Sequence, residues 1–180
     1  MSRFDQCLAF VLKQEGGYTN GTSGDSKFDS GGATNCGITQ AVYDDYRARA
    51  GRNRQPVVGI TATEVADIYR SRYWKAVAGD SLPMGLDLVV FDAAVNLGVS
   101  QSSKFLQRAV GVDDDGFIGQ QTINAVVKDN VSGLTPKVIG DCLDQRRDFY
   151  EKLVVRKPTN KVFIKGWLNR IEAVKKEIRL

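Results

Sequence analysis

The chain has 180 residues, a formal charge of +4 and no histidine, with an isoelectric point near 9.0. That length is enough for one compact domain with a substantial core. The lack of histidine excludes a cysteine–histidine nucleophile and a histidine-bound zinc site, and so the zinc amidases and metallopeptidases that cut cell walls.

Phe4, Leu8, Val11 and Leu12 stand at helical spacing and predict an amphipathic first helix. Glu15 continues that apolar stripe and is the last residue before Gly16-Gly17, the chemistry of a helix C-terminus. A carboxylate there faces the negative end of the helix dipole on a side meant for burial, and both effects disfavour its ionised form. A protonated carboxyl is what a general acid needs. On position alone, a solvated helix-end glutamate fits as well as a catalytic one. From Gly16 to Gly37 there are seven glycines with Asp, Asn, Ser and Thr between them, so the segment reads as turns and short strands lying on the helices. A polar lip beside a buried carboxyl is one way to build a cleft for a sugar chain. Asp29 and Thr34 are its candidate second carboxylate and hydroxyl, with turn-forming roles open for both.

Thr39 is placed to cap a helix running to about Ala50, and Gly51 to Gly59 reads as a loop. Thr61-x-x-Glu64 has the form of a capping box for a helix carrying Val65, Ile68, Tyr69 and Tyr73. After Pro83, the apolar stretch Leu86 to Leu97 predicts a central buried helix, with Asp92 and Asn96 four apart on one face. Buried polar residues need partners, and the expectation is a hydrogen-bonded pair bracing the polar lip or the first helix. Ser100 is expected to cap the next helix, ending near Gly111. Asp113-Asp114-Asp115-Gly116 lacks the ligand spacing of a calcium loop. Two last helices, about 136–155 and 164–180, are split by Pro158. The fold class is α+β, predominantly α-helical, with a small β-lip after the first helix.

Cys7, Cys36 and Cys142 are an odd count without metal-ligand or disulfide-framework spacing and read as reduced structural thiols. No cofactor or metal is expected. The basic balance points to an acidic polymer as partner. Its late cluster, from Arg146-Arg147 to Lys175-Lys176, is interleaved with acids, so it reads as solvated helix faces rather than a nucleic-acid patch. No run is long enough to cross a membrane, and the N-terminal residues, broken by Asp5, Gln6 and Lys13, do not form a signal peptide.

Glu15-Gly16-Gly17-Tyr18, with Asp29-x-Gly31-Gly32-Ala33-Thr34-x-x-Gly37-Ile38-Thr39 after it, resembles the N-terminal signature of glycoside hydrolase family 108. Its members are lysozyme-like N-acetylmuramidases of phages and bacteria. Tyr73-Trp74, the block from Phe91 to Gly98, Leu106 to Val112, Asp115 to Gly119 and Phe163 to Arg170 are similar to its downstream blocks, in family order over nearly the whole chain. The segment Thr19 to Phe28 is longer than the turn many members have there. The resemblance implies a single lysozyme-like domain over 1–180, with a catalytic signature region at 1–98. A helical lobe at 99–180 would include a segment, 100–130, like small peptidoglycan-binding modules.

The resemblance also implies cleavage of the β-1,4 bond between N-acetylmuramic acid and N-acetylglucosamine. Glu15 would be the general acid, and Asp29, helped by Thr34, would orient water or stabilise positive charge on the sugar. Inversion is the expected outcome by likeness to lysozymes with such a set. Tyr18, Asn35 and Gln40 are candidates for lining sugar subsites. Bacterial peptidoglycan is the implied partner, with no nucleic acid and no stable membrane insertion. A monomeric phage endolysin, made in the host cytoplasm, released through a holin and acting on the wall, fits these features together. Two other readings compete: a lytic transglycosylase, which needs the acid but not Asp29, and a non-catalytic wall-binding or secretion-associated protein.

Overall fold

The computed structural model describes residues 1–20 and 32–179. Over these residues the chain is predominantly helical with one small antiparallel sheet, the α+β class expected. It divides into two compact units, Met1–Arg72 and Tyr73–Leu180.

In the first unit, helix α1 (Arg3–Glu15) starts at a capping box. The Ser2 hydroxyl accepts from the Asp5 N–H and the Asp5 carboxylate accepts from the Ser2 N–H. Phe4, Cys7, Leu8, Phe10 and Val11 form its buried face, and the Arg70 guanidinium stacks 3.9 Å from the Phe4 ring centroid. Gly16, with φ +75°, ends the helix. Strands β1 (Thr34–Asn35) and β2 (Ile38–Thr39) pair Thr34 with Thr39 and Asn35 with Ile38. Thr19 adds a bridge to Thr34 through two backbone hydrogen bonds of 2.8 and 2.9 Å. The sheet leads into α2 (Gln40–Arg49), whose first turn is capped by the Thr39 hydroxyl.

Helix α3 (Ala62–Tyr69) begins at the expected box of Thr61 and Glu64. Glu64 also does more than cap. Its buried carboxylate accepts from the Tyr43 hydroxyl at 2.7 Å, from Arg47 at 2.8 Å and from Arg52 at 3.2 Å. A helix start is thereby tied to α2 and to the loop beyond it. Burial opposes the charge on Glu64. The Thr61 backbone N–H, the Tyr43 and Thr61 hydroxyls and the Arg47 charge outweigh it, holding the carboxyl below its ordinary value of 4.5.

The second unit is built on α4 (Leu86–Leu97), buried from Leu86 through Ala94. Gly98, at φ +89°, ends α4 and also begins α5 (Val99–Ala109), so Ser100 lies inside the first turn and is not the expected cap. The Ser102 hydroxyl donates to the Val90 carbonyl at 2.6 Å and joins the two helices. Helix α6 (Gln120–Val131) is not among the expected elements, and only Thr122 and Val126 of it are buried, too few for an apolar stripe. Helices α7 (Thr135–Arg156) and α8 (Lys161–Ile178) complete the unit.

Asp92 and Asn96, expected to brace the lip or α1, have partners on α7 and α8 within the second unit. Asp92 is fully buried and accepts from Arg146 of α7 at 2.7 Å and from the Nε of Arg170 of α8 at 2.9 and 3.1 Å. Arg146 also donates to the Tyr150 hydroxyl, which donates in turn to Asn96 at 2.5 Å. Tyr150 stacks on Trp167 with centroids 4.9 Å apart. One carboxylate thus fastens three helices together. The cysteines are free thiols; Cys7 and Cys142 are buried, and burial pushes the Cys142 thiol up to about 12.

These buried charges carry two testable consequences. Asp92→Ala leaves two arginines facing each other without their counter-ion and should cost about 3–5 kcal/mol, read from urea denaturation. Glu64 has a folded value below its unfolded one, so its contribution is present above the carboxylate range and is lost as pH falls through it. The gap in melting temperature between wild type and Glu64→Gln should therefore narrow as pH drops from about 7 towards 3. A gap independent of pH would remove Glu64 from the acid sensitivity of the fold.

Candidate active site

The carboxyl of Glu15 lies at the C-terminal end of α1, half-buried, with its Oε1 atom fully so. What covers it is the turn between β1 and β2. That turn has two residues, Cys36 at φ 51° and Gly37 at φ +73°, the pair of positive values that a type I′ hairpin turn requires. A Cβ built on Gly37 would stand 2.7 Å from the Tyr69 hydroxyl, 3.0 Å from Glu15 Oε2 and 3.1 Å from Glu15 Cγ. Glycine is therefore required twice here, by backbone angle and by space.

Cys36 is a non-glycine residue in the left-handed region, which costs about 1–2 kcal/mol. Its conformation is held by the Tyr69 hydroxyl, which donates to the Cys36 carbonyl at 2.8 Å. Tyr69 is itself buried, at the end of α3. Helix α3 thus fixes the turn, and the turn closes on Glu15. In the sequence Tyr69 reads as a core residue of its helix, and its spacing gives no sign that its hydroxyl reaches the lip.

Thr34 lies at the centre of the lip, with its backbone bonded to Thr19 and its hydroxyl donating to the Gly32 carbonyl at 3.4 Å. Tyr18 is exposed, three residues beyond the end of α1. Asn35 and Gln40 are engaged within the protein. Asn35 donates to the Val57 and Val58 carbonyls at 3.3 and 3.4 Å. The Gln40 amide donates to Asp44 at 2.7 Å and to the Gln55 carbonyl at 2.8 Å, and accepts from the Val57 N–H at 2.7 Å. These bonds fasten the lip to the turn at Val57–Gly59, so in this structure both amides brace the site. Asp29 lies outside the described residues. Among the described residues, no group of His, Cys, Asp and Glu is placed to hold a metal ion.

In the second unit, the Asp115-Gly116 turn folds around Gln107 of α5. The Gln107 amide donates to Asp115 at 2.7 Å and to the Phe117 carbonyl at 3.0 Å, and accepts from the Gly116 N–H at 2.8 Å. Asp115 also accepts from the Phe117 N–H. A buried glutamine thus organises the turn expected to resemble peptidoglycan-binding modules. In the sequence Gln107 stands between Leu106 and Arg108 with nothing to mark that role.

Comparison with known proteins bears on both units. The family model described as glycosyl hydrolase 108 matches residues 8–98, and the one described as a predicted peptidoglycan domain matches residues 101–172. No curated protein matches the chain. The solved structure of Brucella abortus SagA is similar over 97% of this chain and 92% of that one, at 36% identity and a TM-score of 0.76. The helical architecture with its small lip is accordingly lysozyme-like, and the chain belongs to the glycosyl hydrolase 108 family, as a glycoside hydrolase acting on peptidoglycan and carrying a peptidoglycan-binding domain.

Proposed function

We propose that the protein is an N-acetylmuramidase, hydrolysing the β-1,4 bond between N-acetylmuramic acid and N-acetylglucosamine with Glu15 as general acid. The observation that carries this reading is the enclosure of the Glu15 carboxyl by the glycine of a two-residue turn, at a helix end where a carboxylate weakens the fold. Residues that oppose stability and are held in place by a strained turn are characteristic of sites kept for chemistry. In the reaction, Glu15 gives its proton to the glycosidic oxygen as the C–O bond breaks. Water adds its oxygen to the anomeric carbon and loses a proton to a second carboxylate, which is the role assigned to Asp29. Thr34 shares that water. Inversion is the outcome proposed, corresponding to carboxyl groups about 6.5–9.5 Å apart.

The competing reading is a lytic transglycosylase, in which the sugar's own hydroxyl replaces water and Asp29 is dispensable. The two differ in product. The muramidase gives reducing muramic acid carrying one oxygen from labelled water, whereas the transglycosylase gives unlabelled anhydromuramic ends. Mass analysis of digested peptidoglycan reads this directly. A fully active Asp29→Ala variant with anhydro ends would overturn the hydrolase.

Glu15→Gln keeps the shape and removes the transferable proton, so clearing of permeabilised cells should fall by roughly 10²-fold or more, with the melting temperature unchanged or raised. Gly37→Ala adds a methyl group against the Tyr69 hydroxyl and the Glu15 carboxyl at a positive φ. It should destabilise by more than about 1 kcal/mol and depress turnover beyond that loss when assayed well below the melting temperature. Normal turnover in a folded Gly37→Ala protein would show that the turn does not position the acid.

A further inference from the structure

A groove of about 440 Å³ runs between α5 and α7 within the second unit, far along the sequence from Glu15. One face of α7 supplies most of it, with Gln145, Asp148, Phe149, Lys152 and Arg156 at helical spacing. Phe105 of α5 meets Phe149 edge to face at 5.8 Å and closes the groove from the other side. Lys152 and Arg156 are exposed, and neither has an ion-pair partner among the described residues. Arg108, also on the rim, is already paired with Asp114. Gln145 donates to the Phe105 carbonyl at 3.0 Å, while its Oε1 is buried and accepts no hydrogen bond from the described residues.

The ligand chemistry that matches this groove is a short peptide bearing carboxylates and an amine. Two unpaired cations one turn apart suit carboxylates, Asp148 suits an ammonium group, the two phenyl rings suit methyl and methylene groups, and Gln145 offers an acceptor to a peptide N–H. The sugar backbone of peptidoglycan is uncharged at its ring hydroxyls and acetamides, so the charged rim has its complement in the peptide stems. We propose that the groove between α5 and α7 binds the peptide stem of peptidoglycan, with stem carboxylates against Lys152 and Arg156 and the stem amine against Asp148. The inference rests on peptidoglycan being the substrate and is independent of which glycan bond is cut. It places recognition of the polymer's peptide on the C-terminal unit and recognition of its sugars beside Glu15.

The test is titration of the full-length protein with a synthetic stem tetrapeptide carrying free carboxylates, monitored by calorimetry and by backbone NMR shifts. The tetrapeptide contains no glycosidic bond, so the result does not depend on the hydrolase reading. Lys152→Gln/Arg156→Gln should weaken binding roughly five- to tenfold, the effect expected of two exposed charge pairs. Lys152→Arg/Arg156→Lys should restore it. Both side chains are exposed, so unchanged melting temperatures verify the fold. On whole peptidoglycan the neutral double variant should show a raised KM, with kcat on a peptide-free glycan unchanged. Equal affinity of wild type and the neutral double variant, absence of tetrapeptide binding, or shifts in the groove produced by a peptide-free oligosaccharide instead would each overturn the assignment. Loss of all peptidoglycan cleavage products from wild type would sink the hydrolase reading alone.

Discussion

The arrangement around the candidate acid depends on there being no side chain at position 37. With a Cβ there, the Tyr69 hydroxyl would be 2.7 Å away and Glu15 Oε2 3.0 Å away, both tighter than ordinary van der Waals contact. The glycine lets a hairpin turn close directly over the end of α1. It also supplies one of the two positive φ values that a two-residue turn needs. The other falls on Cys36, which tolerates the strain because its carbonyl is held by Tyr69. A hydrogen bond from α3 thus helps to hold the turn, and the turn lies against Glu15.

Much of this is legible in the sequence because it is encoded locally. The capping box of Thr61 and Glu64, the cap at Thr39, the end of α1 at Gly16 and the span of α4 each depend on residues close to one another along the chain. Glu15 stands out for the same reason, since a carboxylate on an apolar stripe before two glycines is a local contradiction. The interactions that sequence does not reveal join distant residues. Gln40 and Asn35 can be placed on the lip, but their partners at Gln55, Val57 and Val58 lie 15 to 23 positions away. The partners of Asp92 lie 54 and 78 positions away. A polar residue in a buried pattern announces that it has partners and is silent about which.

Two of the buried carboxylates, Glu64 and Asp92, show different solutions to one problem. Taking an ion out of water is expensive unless charge and hydrogen bonds replace the water. Glu64 is satisfied by a mixture of backbone N–H, hydroxyls and guanidinium groups in the first unit. Asp92 is satisfied by two arginines, in the interior of the second. The first solution knits a helix start to α2 and its neighbouring loop. The second crosslinks α4, α7 and α8, and it directs the Tyr150 hydroxyl, through Arg146, toward Asn96.

That use of arginine changes the meaning of the basic C-terminal sequence. Read as a count, Arg146, Arg147, Arg170 and Lys175 belong to a cationic stretch. In the structure, Arg146 and Arg170 neutralise Asp92, while Arg147 and Lys175 both reach Glu172. Lys137 is paired with Asp141 one turn along α7. Asp92, Glu172 and Asp141 offset part of this charge, and the pairs at Asp92 and between Arg147 and Glu172 join one helix to another. Net charge therefore locates nothing by itself. Lys152 and Arg156 lie one turn apart on the face of α7 that borders a groove, without such counter-ions among the described residues. It is their availability, rather than the +4 of the whole chain, that gives the second unit a surface suited to an anionic peptide.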